Sequence, residues 1–410
     1  MLGAGYFSVF LLSIVHQTNT FVLTSKLPNL GTTIFTRMSR LAAQENAVNL
    51  SQGFPDFNCH PELMERVTYH MRAGRNQYAP SSGLMPLRER IAEKVEAAYG
   101  YAPHPETEIT ITSGASEVLF NALAATVRPG DEVLVFEPAF DLYQPVVELF
   151  GGSVVSVPLR SDTYAIDWAS TEAALTERTR IVITNTPHNP SGAVLSAEDM
   201  QQLETLVLRY DLLLISDEVY EHIIFDGQAH QSVLRYPKLR ERSFAVFSFG
   251  KTFHATGWKV GYCIAPPHLS TEFRKVHQYN TFATFTPAQF ALADFLENPA
   301  HYQELPAFYQ KHRDKFQELL AETAFTLIPC QGTYFQLAQY GHLSDENDTD
   351  YAERLTREVG VATIPVSVFY QDKTDRKVLR FCFAKQFETM EQAVERLLQN
   401  EAYLTKLSGQ

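Results

Sequence analysis

The chain has 410 residues, of which 45% are hydrophobic and 20% charged, with a formal charge of −13. That length suggests two or three domains, and the composition suits a globular protein with a large core. The acidic balance, with no run of lysine and arginine, excludes a nucleic-acid backbone as the expected partner.

The first apolar run, "YFSVFLLSIV", is ten residues long, too short to span a bilayer as a helix. It resembles the centre of a signal peptide, but no basic residue precedes it and no A-x-A site follows. A cytoplasmic protein without a membrane partner is therefore expected, with secretion as the alternative. The cysteines (Cys59, Cys263, Cys330, Cys382) have no metal-clip or C-x-x-C spacing, which fits reduced thiols. The thirteen histidines show no H-E-x-x-H pattern, and no metal site is expected.

Strand-like and helical runs then alternate. "EITIT" (108–112) leads into "GASEVLFNALAATV", and "DEVLVF" (131–136) into "DLYQPVVELF" and "SVVSVPL". "RIVITN" (180–185) precedes a loop and the helix "SAEDMQQLETLVLRY", whose first serine stands where a helix cap belongs. "LLLIS" (212–216) and "SFAVFSF" (243–249) follow. Short, wholly apolar runs separated by helices read as buried parallel strands covered on both faces, an α/β doubly wound pattern. From about residue 268 long helical segments lead into "AFTLIP", "TYFQLA", "GVATIP" and "VLRFCFA", and residues 388–399 are again helical. This mixture suggests a second, smaller α+β domain, with which the segment before residue 55 is expected to pack.

Ligands in open α/β sheets sit beyond the carboxyl ends of the strands. The small residues "SGAS" (113–116) follow the first strand, and Phe140 the second. Asn185 and Asn189 follow "RIVITN", Asp217 and Tyr220 follow "LLLIS", and Lys251 follows "SFAVFS". Singly, each has a structural reading: Asp217 as a helix cap, Asn189 as a turn former before Pro190, Tyr220 and Phe140 as core aromatics. Five strand ends that each supply such a residue read better as one convergent site.

The stretch "SFGKTFHATGWKVGY" (248–262) puts Lys251 and Lys259 close together among small residues. Two like charges repel unless one is neutralised or both face an anion. A strand-end lysine with a lowered pKa is a nucleophilic amine able to form a Schiff base with a carbonyl. Ser248, Lys259 and the "SGAS" helix start suit a phosphate. The ligand that carries both groups is pyridoxal phosphate.

The chain resembles the fold-type I, class I/II pyridoxal-phosphate aminotransferases, most of all bacterial methionine aminotransferases and the kynurenine/glutamine transaminases. The motifs are "NLSQGFPDF", "NQYAPSSGLMPLR", "NTPHNPSG", "SDEVYEH", "SFGKTFHATGWKVGY" and "LRFCFA". The resemblance implies a mostly parallel seven-stranded sheet flanked by helices plus a smaller α+β domain. It divides the chain into an unassigned extension (1–24), an arm with part of the small domain (25–55), a large cofactor domain (56–300) and a small domain (301–410).

The resemblance also implies roles. Lys251 would be the Schiff-base lysine and proton-moving base. Asp217 would pair with the ring nitrogen, Tyr220 and Asn189 with the ring 3-oxygen, and Phe140 would stack on the ring. Ala115, Ser116, Ser248 and Lys259 would hold the phosphate, joined by Tyr78 from the neighbouring subunit of a homodimer with shared sites. Arg380 with Asn185 would hold the substrate carboxylate, Gly53 would add a backbone contact, and Ile34, Phe35 and Phe282 would line the side-chain pocket. Such a pocket suits methionine, phenylalanine, histidine, glutamine or kynurenine, with a 2-oxo acid as acceptor. Position 283 is alanine, where some kynurenine-preferring relatives carry histidine. A cysteine-S-conjugate β-lyase or another pyridoxal-phosphate lyase is the nearest alternative, and a non-catalytic binding protein of the same fold a more distant one.

Overall fold

The computed structural model describes residues 23–404. The apolar run at residues 6–15 lies outside them. Seven strands form the main sheet: β1 (Ile109–Thr112), β2 (Glu132–Glu137), β3 (Ser153–Pro158), β4 (Thr179–Asn185), β5 (Leu213–Asp217), β6 (Ser243–Ser248) and β7 (Gly261–Ile264). Their order is β1-β7-β6-β5-β4-β2-β3. The pairs among β2 to β6 are parallel, while β7 runs antiparallel to both its neighbours.

Alternate residues of these strands enter opposite cores, as strand geometry requires. Val182, Leu214, Ala245 and Phe247 pack in one apolar cluster; Ile181, Ile183, Ile215, Phe244 and Val246 pack in the other. Both faces are thus covered, which is why the central strands are apolar at nearly every position. The helix Ala197–Arg209 is started by a capping box in which Ser196 and Asp199 exchange hydrogen bonds.

Six of the seven strands coincide with apolar runs seen in the sequence. The seventh, β7, was not marked as a strand. It begins on Gly261, inside a stretch rich in glycine and other small residues that reads as loop rather than strand. That glycine is needed because a Cβ there would come within 2.6 Å of the Phe247 carbonyl oxygen and 2.9 Å of the Ala115 nitrogen.

The C-terminal part carries a four-stranded antiparallel sheet of β8 (Thr326–Leu327), β9 (Phe335–Gln339), β10 (Ile364–Pro365) and β11 (Val378–Cys382), in the order β10-β11-β9-β8. The helices Leu305–Leu320 and Phe387–Gln399 pack against each other, and Phe316 of the first meets Phe381 of β11 with ring centroids 6.2 Å apart. The N-terminal segment joins this half: Val48–Asn49 pairs in parallel with Val361–Ala362, and the Leu50 carbonyl accepts from the Cys382 N–H at 2.8 Å. All four cysteines are free and buried. Among the described residues no helix is long and apolar enough to cross a membrane, and no group of three or more His, Cys, Asp or Glu could hold a metal.

Candidate active site

Parallel strands bring their carboxyl ends to one edge of the sheet. At that edge a cavity of about 300 Å³ opens between the main sheet and β9 and β11 of the C-terminal sheet. Ala115, Ser116, Phe140, Asn185, Asn189, Asp217, Tyr220, Ser248, Lys251, Lys259, Arg380, Gly53 and Phe35 all line it. Residues from five strand ends, from Ala115 to Lys251, therefore do share one space.

Asp217 ends β5 and is buried. Its Oδ2 accepts from the Tyr143 hydroxyl at 2.7 Å. Burial pushes the carboxyl up to about 6, against the lowering hydrogen bond from Tyr143. Such a group has only a neutral partner for its charge and would be relieved by a cation.

Lys251 sits just beyond β6, in the short helix Phe249–Thr252. Its Nζ donates to the Tyr334 hydroxyl oxygen at 2.8 Å and to the Gly53 carbonyl at 3.2 Å. Burial pulls its pKa down to about 8, and the cations Arg380 and Lys259 add to the effect. Near neutral pH the amine is thus far easier to deprotonate than an ordinary lysine. Tyr220 is buried and lies edge-on to Tyr334 with ring centroids 5.2 Å apart.

Arg380 occupies the middle of β11 and is 1% exposed. Its Nη1 donates to Asn189 Oδ1 at 2.8 Å and its Nη2 to the Ser51 carbonyl at 3.1 Å. Nε has no partner, and the guanidinium carbon lies 3.9 Å from the centroid of the Phe335 ring. Among the described residues no carboxylate pairs with it. A buried guanidinium without an anion is costly, so this one is placed to receive a carboxylate from outside the chain.

Both asparagines line the cavity, at different depths. Asn189, not Asn185, touches Arg380. Asn185 stands one step behind: its Oδ1 accepts from the Asn189 N–H at 2.8 Å, and its Nδ2 donates to the Asp217 carbonyl at 2.9 Å. Asn185 ends β4, one strand over from Asp217, so its side chain ties the two strand ends before it can reach β11.

At the opposite end of the cavity, Ala115 and Ser116 form the first turn of the helix Ala115–Thr126, whose free N–H groups favour an anion. Gly114 precedes it at φ 81°, and a Cβ there would lie 3.4 Å from Lys259 Nζ. The absent side chain leaves the ammonium beside the helix start.

Tyr78, expected at the neighbouring subunit's phosphate, and Phe282 are 84% and 41% exposed, edge-on to each other with centroids 5.4 Å apart, and neither lines the cavity of its own chain. Ile34 packs on the core rather than into the cavity. Sequence reasoning missed Tyr143 and Tyr334. Both stand inside runs read as ordinary helix and strand, "DLYQPVVELF" and "TYFQLA", with no local signal of their contacts.

The charges decide what the cavity accepts. Lys251, Lys259 and Arg380 face one lining carboxylate, Asp217. A ligand here carries a net negative charge, with an anionic group for the helix start and Lys259, a cationic nitrogen for Asp217, and a carbonyl within reach of an amine. Pyridoxal phosphate fits this donor set, and Arg380 is left over for a substrate carboxylate.

The family model for aminotransferase class I and II matches residues 45–397. The methionine aminotransferase of Escherichia coli (strain K12) is 51% identical over 382 residues, covering 93% of this chain and 99% of that protein. A kynurenine–oxoglutarate transaminase of Dictyostelium discoideum is 34% identical, covering 93% and 97%. Among solved structures, an Escherichia coli protein with methionine aminotransferase function superposes with a TM-score of 0.91, covering 92% of this chain and 100% of that one at 51% identity. The N-succinyldiaminopimelate aminotransferase of Mycobacterium tuberculosis superposes with a TM-score of 0.88 at 37% identity, covering 92% and 99%. The chain belongs to the class I and II aminotransferases, and is a pyridoxal-phosphate-dependent transaminase.

Proposed function

We propose that the protein moves the amino group of methionine to a 2-oxo acid, and also accepts other apolar or aromatic amino acids. The observation that carries this reading is the buried, anion-free guanidinium of Arg380, set among Phe35, Phe335 and Phe369. It supports a ligand with a carboxylate at one end and an apolar group beside it. The methionine aminotransferase at 51% identity adds to that support.

In this reading Arg380, held by Asn189 and the Ser51 carbonyl, grips the substrate carboxylate and so fixes the direction of the Cα–H bond. Bound in the cavity, pyridoxal phosphate supplies an electron sink for the pair left when that bond breaks, and stores the amino group between the two half-reactions. Asp217 would hold the ring nitrogen, Tyr220 and Asn189 the ring 3-oxygen, Phe140 the ring face, and Ala115, Ser116, Ser248 and Lys259 the phosphate. Lys251 would take the proton from Cα as the base.

The active form is a homodimer in this reading, with Tyr78 reaching the neighbouring subunit's phosphate site. The exposed aromatic side chains of Tyr78, Tyr279, Phe282 and Phe285 support such a face. Residues 56–300 serve as the cofactor domain, with 25–55 and 301–410 as the smaller one. A cytoplasmic location agrees with the four free thiols.

A donor panel with purified enzyme and a 2-oxo acid tests the assignment. Methionine should give the highest kcat/KM, followed by aromatic donors. Aspartate outpacing methionine, or pyruvate and ammonia released from an S-conjugate faster than any amino transfer, would overturn it. Sedimentation tests the dimer.

A further inference from the structure

We propose that Tyr334 is a positioning residue that aims the lone pair of the Lys251 amine into the cavity. The argument is an account of protons. The Gly53 carbonyl can only accept, and it lies 2.6 Å from the Tyr334 hydroxyl. The single hydroxyl proton of Tyr334 is therefore committed to Gly53. What Tyr334 then offers Lys251, 2.8 Å away, is a lone pair. Lys251 must be the donor in that contact, and it donates again to the Gly53 carbonyl at 3.2 Å.

A neutral amine has two N–H bonds and one lone pair. Both N–H bonds are used on the wall made by Tyr334 and Gly53, so the lone pair faces away from it, into the open cavity. There it meets the Cα–H of a substrate held by Arg380. As the proton moves, the Cα–H bond breaks, a third N–H bond forms, and the electron pair stays with the substrate carbon and its bound cofactor. Without the hydroxyl, one N–H has no fixed partner and the amine turns about its Cδ–Cε and Cε–N bonds.

Tyr334 is well placed to hold this geometry. It is completely buried and braced by the rings of Tyr220, Tyr309 and Phe335 at centroid distances of 5.2, 5.8 and 4.9 Å. The other groups facing the amine are Asp217 from β5, Arg380 and Cys382 from β11, and Lys259. Among the described residues none of these hydrogen-bonds Nζ. Tyr334 and the Gly53 carbonyl thus set its direction.

The inference rests on Lys251 being the proton-moving amine, and the test keeps the two apart. Tyr334→Phe is compared with Tyr309→Phe, which removes a neighbouring buried hydroxyl that has no hydrogen-bond partner. In Tyr334→Phe, kcat for methionine should fall at least about tenfold while KM changes less than about threefold, because Arg380 is untouched. In the cofactor-free protein, cyanate labelling of Lys251, followed by mass spectrometry across about pH 6 to 10, gives a second readout. Losing an acceptor disfavours the charged amine, so the labelling midpoint should move to lower pH by about half a unit.

Tyr309→Phe should change neither. Should Tyr334→Phe fail to fold, 3-fluorotyrosine at position 334 keeps the packing but is a weaker acceptor, and should move the midpoint in the same direction by less. Unchanged kcat and midpoint in the position-334 variant, or equal changes in Tyr309→Phe, overturn the proposal. A turnover-competent Lys251→Ala would instead overturn the reading of Lys251 on which it stands.

Discussion

The Tyr143 hydroxyl donates to the Asp217 carboxylate at 2.7 Å across the cavity edge, joining the helix after β2 to the end of β5. Among the described residues it is the only side chain that hydrogen-bonds the carboxylate expected to hold the cofactor ring nitrogen. Tyr143→Phe removes a lowering influence from a carboxyl that burial already pushes up to about 6. Activity needs Asp217 ionised, so the acid limb of the kcat/KM profile should move toward neutral pH by up to about one unit. The profile, measured with saturating cofactor, checks this.

Arg380→Lys should raise KM for both the amino acid and the 2-oxo acid about 30-fold or more. A lysine cannot reproduce the planar fork or satisfy Asn189 and Ser51 at the same time as a carboxylate. The visible absorbance of bound cofactor should be retained, because Arg380 is not among the residues expected to hold the cofactor. Steady-state kinetics on both half-reactions decide it.

Lys251→Ala should lose the visible absorbance of the resting enzyme and nearly all turnover. Borohydride reduction of the normal protein should fix cofactor mass on Lys251 alone. Peptide mapping after reduction reads this directly.

Stability should depend on Lys94. Its Nζ is buried and donates to Glu221 Oε1 at 2.5 Å and to the Tyr262 hydroxyl at 3.0 Å, one residue along from Tyr220. Burial pushes the Glu221 carboxyl up, but Lys94, His222 and Tyr99 together hold it well below the usual range. The folded pKa is thus depressed. This stabilisation is complete above the ordinary value of 4.5 and is lost as pH falls through the folded value. Lys94→Met leaves Glu221 buried without its cation and should cost about 3–5 kcal/mol at neutral pH. The gap between variant and normal protein should narrow in acid, where Glu221 is neutralised in the variant first. Urea unfolding at several pH values measures it.

Much of the site was legible because its residues stand at strand ends, and strand ends are visible as the close of an apolar run. Asp217, Asn185, Ser248 and Lys251 were found this way. Arg380 was visible as a charge inside the apolar run "VLRFCFA". What escaped notice depends on contacts between distant segments. Tyr334 meets Lys251 across 83 residues of sequence and Tyr143 meets Asp217 across 74, and a tyrosine inside an apolar run looks like any core aromatic. The hydrogen bond from Arg380 to Asn189 was equally hidden: which amide of a loop points at a strand in another sheet is set by packing. β7 was hidden by the small residues around its start and by its antiparallel direction, which no crossover helix announces.

The joining of Leu50 to Ala362 and Cys382 has a consequence for biosynthesis. The Ser51 carbonyl that braces Arg380 and the Gly53 carbonyl that receives Lys251 both lie just downstream of that seam. A nascent chain on the ribosome can complete the main sheet once residue 264 has emerged, yet its substrate grip waits for residue 382. The large sheet can therefore form around Lys251 before Tyr334 and Arg380, which share its cavity wall, have been made.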